Sequence, residues 1–207
     1  PLMSGGLGMR VVNSYDPTVR DVKADVQAQL TNGNPTVHLA NIKGSVAQAP
    51  FTADLTLDGA TNLWTAKADV TDLPSFELLG FSEDLLQTDN IDRDTIHLSR
   101  LPLRGNLTAH FDATGSADLD ATQPTFRIAD GSVKVTSPQL SWHSEGLGAL
   151  NANFKLTPDL LQIKQLSLQS TNAETPRLIT FTGNVPWDPD STALDTSLQA
   201  KNTRISF

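Results

Sequence analysis

Apolar side chains recur at every second position over most of this chain, and that beat restricts it to strands with one apolar and one wet face. Val22, Ala24, Val26, Ala28 and Leu30 alternate with Asp21, Lys23, Asp25, Gln27 and Gln29. The same phase returns in Phe51, Ala53, Leu55, Leu57, in Trp64, Ala66, Ala68, Val70, in Leu107, Ala109, Phe111, Ala113, and in Leu150, Ala152, Phe154, Leu156. Such strands make a long one-sided sheet. Its apolar face has to be buried against something, and what covers it is the functional question.

Composition agrees with a thin core. Only 38% of the residues are hydrophobic, while Thr, Ser, Asn, Asp and Gln are plentiful, as in sheets with one solvated face. The length of 207 residues suits one large or two small domains. A net charge of −8 with 15 scattered basic residues argues against nucleic acid, whose phosphates need clustered Lys and Arg. The absence of cysteine excludes disulfides, iron-sulfur clusters and thiolate zinc sites. With no run of eighteen apolar residues and no basic-then-apolar leader, neither a helical membrane span nor an export signal is expected. The chain opens at Pro1 and stops at Phe207 in mid-pattern, as expected of a piece of something longer.

Turn signals punctuate the strands. Asn32-Gly33, Asp58-Gly59 and Asp130-Gly131 are dipeptides that favour tight hairpins, and Pro158-Asp159 and Asp188-Pro189-Asp190 read as further turns. The order is therefore mostly an antiparallel meander. Between Ile163 and Leu166 the alternation slips by one residue, which predicts a bulge near Lys164 and Gln165. Leu78, Phe81 and Leu85 fall at helical spacing, so 74–87 is expected to hold one or two short helices that interrupt the sheet. Residues 1–19 lack the beat and read as a linker or the tail of a preceding element. An echo links Phe51-Thr52 and the Trp64–Val70 stretch to Phe181-Thr182 and the Leu194–Ala200 stretch at one constant offset.

The text from Gly148 to Val185, "GALNANFKLTPDLLQIKQLSLQSTNAETPRLITFTGNV", followed by "STALDTSLQAKNTRI", resembles the repeating text of the TamB and AsmA-like family of bacterial envelope proteins. So does "WTAKADVTDLPSFELLGFSED", a strand running into a short Leu-rich helix before the next Gly-opened strand. The resemblance covers most of the chain from about residue 20 onward and rests on apolar, Gly and Asp positions. It implies a long curled sheet, mainly antiparallel and one-sided, an open groove folded like a taco with one helical insertion. It further implies that the apolar trough carries phospholipid between membranes or supports outer-membrane assembly. The chain would then sit in the periplasm within a longer membrane-anchored protein, with phospholipid acyl chains as cargo and an outer-membrane barrel protein as a partner of the full-length chain.

The same reading has a physical basis. Moving an acyl chain through water costs ~0.8 kcal/mol per methylene, so roughly 12 kcal/mol for a sixteen-carbon tail, and an unbroken apolar floor removes most of that barrier. Strands ~4.8 Å apart would advance a dozen strands over roughly 55 Å. The expected floor comprises Ala53, Leu55, Leu57, Trp64, Ala66, Val70, Leu107, Phe111, Phe126 and Ile128, then Val133, Val135, Leu140, Trp142, Phe154, Leu161, Ile163, Ile179 and Phe181. Each of these is equally an ordinary core residue of a closed sandwich, because alternation identifies a face and not what it meets. A structural or adhesive β-solenoid or β-sandwich surface module without lipid cargo is the competing expectation.

No catalytic or metal constellation is expected, and no cofactor. His38, His97, His110 and His143 follow no ligand spacing. Asp89–Asp94 and Asp188 with Asp190 lack the alternating oxygens, central Gly and closing Glu of a calcium loop. Ser4-Gly-Gly-Leu-Gly8 lacks the strand-then-helix setting of a phosphate loop. A sugar-binding sandwich would want aromatics on the wet face, where only Tyr15, Trp142 and Trp187 are at hand.

Overall fold

The computed structural model describes residues 2–9, 19–31, 34–75, 102–118, 125–143, 145–170, 177–186 and 195–201. These form twelve strands: β1 (Leu2–Met9), β2 (Val19–Thr31), β3 (Asn34–Val46), β4 (Ala49–Asp58), β5 (Leu63–Pro74) and β6 (Leu103–Arg104). They continue as β7 (Asn106–Asp118), β8 (Thr125–Trp142), β9 (Glu145–Leu156), β10 (Leu160–Gln169), β11 (Leu178–Pro186) and β12 (Asp195–Lys201). All belong to one antiparallel sheet in which β1 to β5 and β7 to β12 follow one another in chain order, while the short β6 pairs with the far end of β8. β1 and β12 do not pair, so the sheet stays open. The all-β one-sided meander read from the alternation is therefore the fold.

Two expectations are corrected. Asp130-Gly131 is no hairpin turn but lies within the 18-residue β8, where Gly131 pairs with Ala113 on one side and Leu156 on the other. A Cβ there would stand 3.0 Å from that of Ala113, so the glycine serves close packing rather than a turn. Residues 2–9, read as a linker, form β1, registered from Leu2 against Gln29 to Met9 against Val22. Backbone hydrogen bonds build this strand, and its three glycines hide the alternation. Of the helix expected at 74–87, Pro74 ends β5 and the backbone turns helical at Ser75, while 76–87 lies outside the described residues, as do Asn32-Gly33, His97 and 187–194.

The hairpins show why the chain turns where it does. Ala47 and Gln48, at φ 47° and 69°, join β3 to β4 as a two-residue turn with both residues left-handed, whose twist matches that of the flanking strands. At the β4–β5 hairpin the Asp58 carboxylate accepts from the Ala60 N–H and the Thr61 hydroxyl, both at 2.9 Å. Pro158-Asp159 turns β9 into β10, closed by Thr157 N–H donating to the Leu160 carbonyl at 3.0 Å. The echoed pairs are both hairpins, yet Phe51 pairs with Val70 whereas Phe181 pairs with Leu198, so their registers differ by two residues.

Bulges keep one face apolar through the whole length. An extra residue flips every side chain beyond it, so a change of parity in the sequence must be matched by a bulge if the face is to continue. On β3 the break falls between Leu39 and Ile42, on β5 between Val70 and Leu73, and on β10 between Ile163 and Leu166, the last near the predicted slip. β8 carries two, beside Ala129 and between Ser137 and Leu140. Asn41 and Asp72 hold positive φ at their bulges, 51° and 57°, a conformation that Asn and Asp tolerate through local hydrogen bonding.

Candidate functional site

Cross-strand registers trace the apolar face as lanes that run across the strands. One lane passes through Val26, Leu39, Leu55, Ala66, Ala113, Gly131, Leu156, Leu161 and Val185, each paired to the next from β2 to β11. A second runs Ala53, Ala68, Phe111, Val133, Phe154, Ile163 and Gly183. A third runs Phe51, Val70, Ala109, Val135, Ala152, Leu166 and Phe181. No residue in these lanes is charged.

The expected floor residues share this face. Leu57, Trp64 and Ile128 form a shorter lane through Gly115 at one end of the strands, next to Phe126 opposite Ala117. Leu107 pairs with Leu73 near the other end, where Leu140 opposes Gly148, and Ile179 pairs with Leu168. Two residues sit at the margins rather than on the floor: Phe126 is 57% exposed, and Trp142, paired with Leu103 of β6, is 41% exposed. The expectation omitted Val37, Leu39 and Ile42 of β3, together with Phe51, Ala68, Ala109, Ala152, Leu166 and Leu168. Several of these stood in the alternation itself. Those of β3 were masked by the parity change at Ala40-Asn41.

Two buried clusters flank the lanes. At one strand end Ala47, Ala49, Leu73, Leu107 and Leu140 pack together, and at the other Trp64, Ala113 and Ala117 do, with Leu57, Phe111 and Ile128 against them. The Trp64 indole N–H donates to the Ser116 carbonyl at 3.0 Å, and its ring meets Phe126 edge-on at 6.4 Å between centroids. Ser137, 3% exposed and in phase with the floor, donates its hydroxyl hydrogen to the Gln139 carbonyl at 3.2 Å. Among the described residues all twelve strands belong to one sheet, so no separate second sheet lies on the apolar face.

The opposite face is polar and paired across strands. Lys67 meets Asp112 at 3.5 Å, His110 Nδ1 meets Asp69 at 2.7 Å, and Lys155 meets Asp130. The first two are direct cross-strand partners, so these contacts favour the native register while contributing about 0–1 kcal/mol each at such exposure. His38 lies on this face opposite Gln27 and Thr56, and His143 stacks edge-on with Trp142. Among the described residues no three His, Cys, Asp or Glu side chains gather as a metal site would require. The chemistry on offer is thus an uncharged apolar surface spanning nine strands. No protein-family model, no curated protein and no solved structure matches the chain.

Proposed function

We propose that this chain is a stretch of trough that carries phospholipid acyl chains across the bacterial cell envelope. The observation that carries the reading is the charge-free floor, continuous through registered pairs from Val26 on β2 to Val185 on β11 in a single open sheet among the described residues. A sheet face of this size exposed to water is costly at about 25 cal/mol per Å² of apolar area, so an occupant made of hydrocarbon is strongly favoured. The sequence resemblance to TamB and AsmA-like proteins points to the same cargo. Under this proposal the chain works in the periplasm as part of a longer membrane-anchored protein, with an outer-membrane barrel protein as partner of the whole.

The test is lipid extraction and mass spectrometry of the protein purified from a bacterial host, followed by labelling with a phospholipid that carries a photoreactive group in its acyl chain. Co-purified phospholipid and adducts on β4 to β10 support the trough. A lipid-free protein that takes no adduct at any lane position would favour a structural or adhesive module whose apolar face is covered by protein.

A further inference from the structure

The half-buried part of the floor changes width along the trough. On β4 four inward positions in succession are half-buried, Phe51, Ala53, Leu55 and Leu57, and β10 and β11 are as wide. On β7 only Ala109 and Phe111 remain accessible, and in the central part of β8 only Val133 and Val135. Leu107 and Ala113, 4% and 1% exposed, close off the β7 pair, while Gly131 and Ser137 are buried on either side of the β8 pair. At ~3.3 Å per residue, two inward positions span about 13 Å of strand and four span about 26 Å.

The narrowing has an identifiable cause. Both buried clusters have members on β7, Ala113 and Ala117 beside Trp64 from one side and Leu107 beside Leu73 and Leu140 from the other. Trp64 is held in place through its hydrogen bond to Ser116, and it lies over Gly115, so this wall does not yield easily. A surface that a water molecule cannot reach is closed to a methylene, which is larger. Cargo that crosses β7 and β8 therefore touches little besides four side chains, and β9 stays as narrow, with Ala152 and Leu156 buried on either side of Phe154.

We infer that Ala109, Phe111, Val133 and Val135 form a waist that sets the bulk of hydrocarbon the trough admits: flexible unbranched acyl chains pass it, and rigid fused rings do not. The inference rests on the trough proposed above and adds a selectivity to it. Because these side chains are half-buried and apolar, discrimination comes from the room left over rather than from a recognition group.

Two photoreactive probes separate the possibilities, a phosphatidylcholine with a diazirine in its palmitoyl chain and a diazirine sterol, each read by peptide mapping. The acyl probe is expected to label β4, β7–β8 and β10 alike, the sterol to label β4 and β10 at least tenfold more than β7–β8. Phe111→Ala should raise sterol labelling at Val133 and Val135 to the β4 level. Ala109→Leu, at a half-buried position and expected to keep the circular dichroism of the parent, should lower acyl labelling of β7–β8 tenfold. Equal sterol labelling of all three regions in the parent protein, or acyl labelling indifferent to Ala109→Leu, overturns the waist while leaving the trough standing. Absence of any adduct from either probe takes down both.

Discussion

The six-membered ring of Trp64 covers Gly115, its cross-strand partner on β7, so closely that a Cβ at 115 would stand 2.7 Å from both Cε2 and Cζ2. It would also run into the Arg127 carbonyl oxygen. The missing side chain lets the indole lie against the strand and donate to the Ser116 carbonyl. Gly115→Ala is therefore expected to lower stability by about 1–3 kcal/mol through overpacking, seen as a reduced urea midpoint. Trp64 fluorescence should shift to the red as the ring is pushed toward water. An unchanged midpoint would mean that the ring has room to move aside.

Asp72 sits at φ 57° in the bulge that carries the floor from Val70 to Leu73. The left-handed conformation costs an ordinary residue about 1–2 kcal/mol, Asp somewhat less, and glycine almost nothing. Thermal melts should accordingly show Asp72→Gly neutral or up to about 1 kcal/mol more stable, and Asp72→Val less stable by about 1–2 kcal/mol. Equal melting of the two variants would count against this geometry at the bulge.

The bulges also mark how far the sequence could be read. Strand existence and face were legible wherever parity held, as from Phe51 to Leu57 or Leu150 to Leu156, because a period of two leaves no other regular structure. The slip between Ile163 and Leu166 was legible for the same reason, since apolar residues flank it on both sides. Parity also changes between Leu39 and Ile42, but Ala40 blurs that change. Asp130-Gly131 misled because the residues that favour tight turns also suit close packing and bulges, and only the partner strands decide between these roles. Ala47-Gln48 shows the reverse case, a tight turn whose two residues carry no turn signal. The lanes themselves depend on registers between strands, and the waist on how side chains from separate strand ends meet, neither of which is a local property of the chain.

At the β4–β5 turn, the N–H of Ala60 and the hydroxyl of Thr61 hold the Asp58 carboxyl below its ordinary value of 3.8. A carboxyl whose folded pKa is depressed adds stability that is present above its unfolded pKa and lost as pH falls through the folded one. Carbon-detected NMR titration should thus find Asp58 ionised at pH values where an unstructured Asp is half protonated. Asp58→Asn should lower stability slightly near neutrality, where the ionised carboxylate contributes. It should leave stability unchanged at pH values below the folded pKa, so that a small part of the acid-side loss disappears. A midpoint for Asp58 at or above 3.8 would contradict the turn geometry.

Charges placed on the apolar face distinguish an open trough from a covered core, because the same substitution meets water in one and a packed interior in the other. Leu140 is 3% exposed within the cluster at one strand end, so Leu140→Asp leaves a carboxylate unpaired among Leu73, Leu107 and Ala49. The expected loss is about 3–5 kcal/mol, enough to abolish the cooperative urea transition of a domain with a thin core. Phe154 is half-buried in the second lane between Val133 and Ile163, and among the described residues no second sheet covers it. A Glu there can extend its carboxylate into solvent, so Phe154→Glu should keep the β-type circular dichroism and forfeit about 1.5–3 kcal/mol of apolar burial at most. What it should destroy is lipid contact, since an ionised group on the acyl path costs a passing chain several kcal/mol in lost solvation. The expected result is a folded Phe154→Glu protein whose acyl-probe labelling collapses at Val133 and Ile163, beside an unfolded Leu140→Asp protein. Unfolding of both would instead mean that the face around Phe154 is closed by packing, and the trough reading would fall.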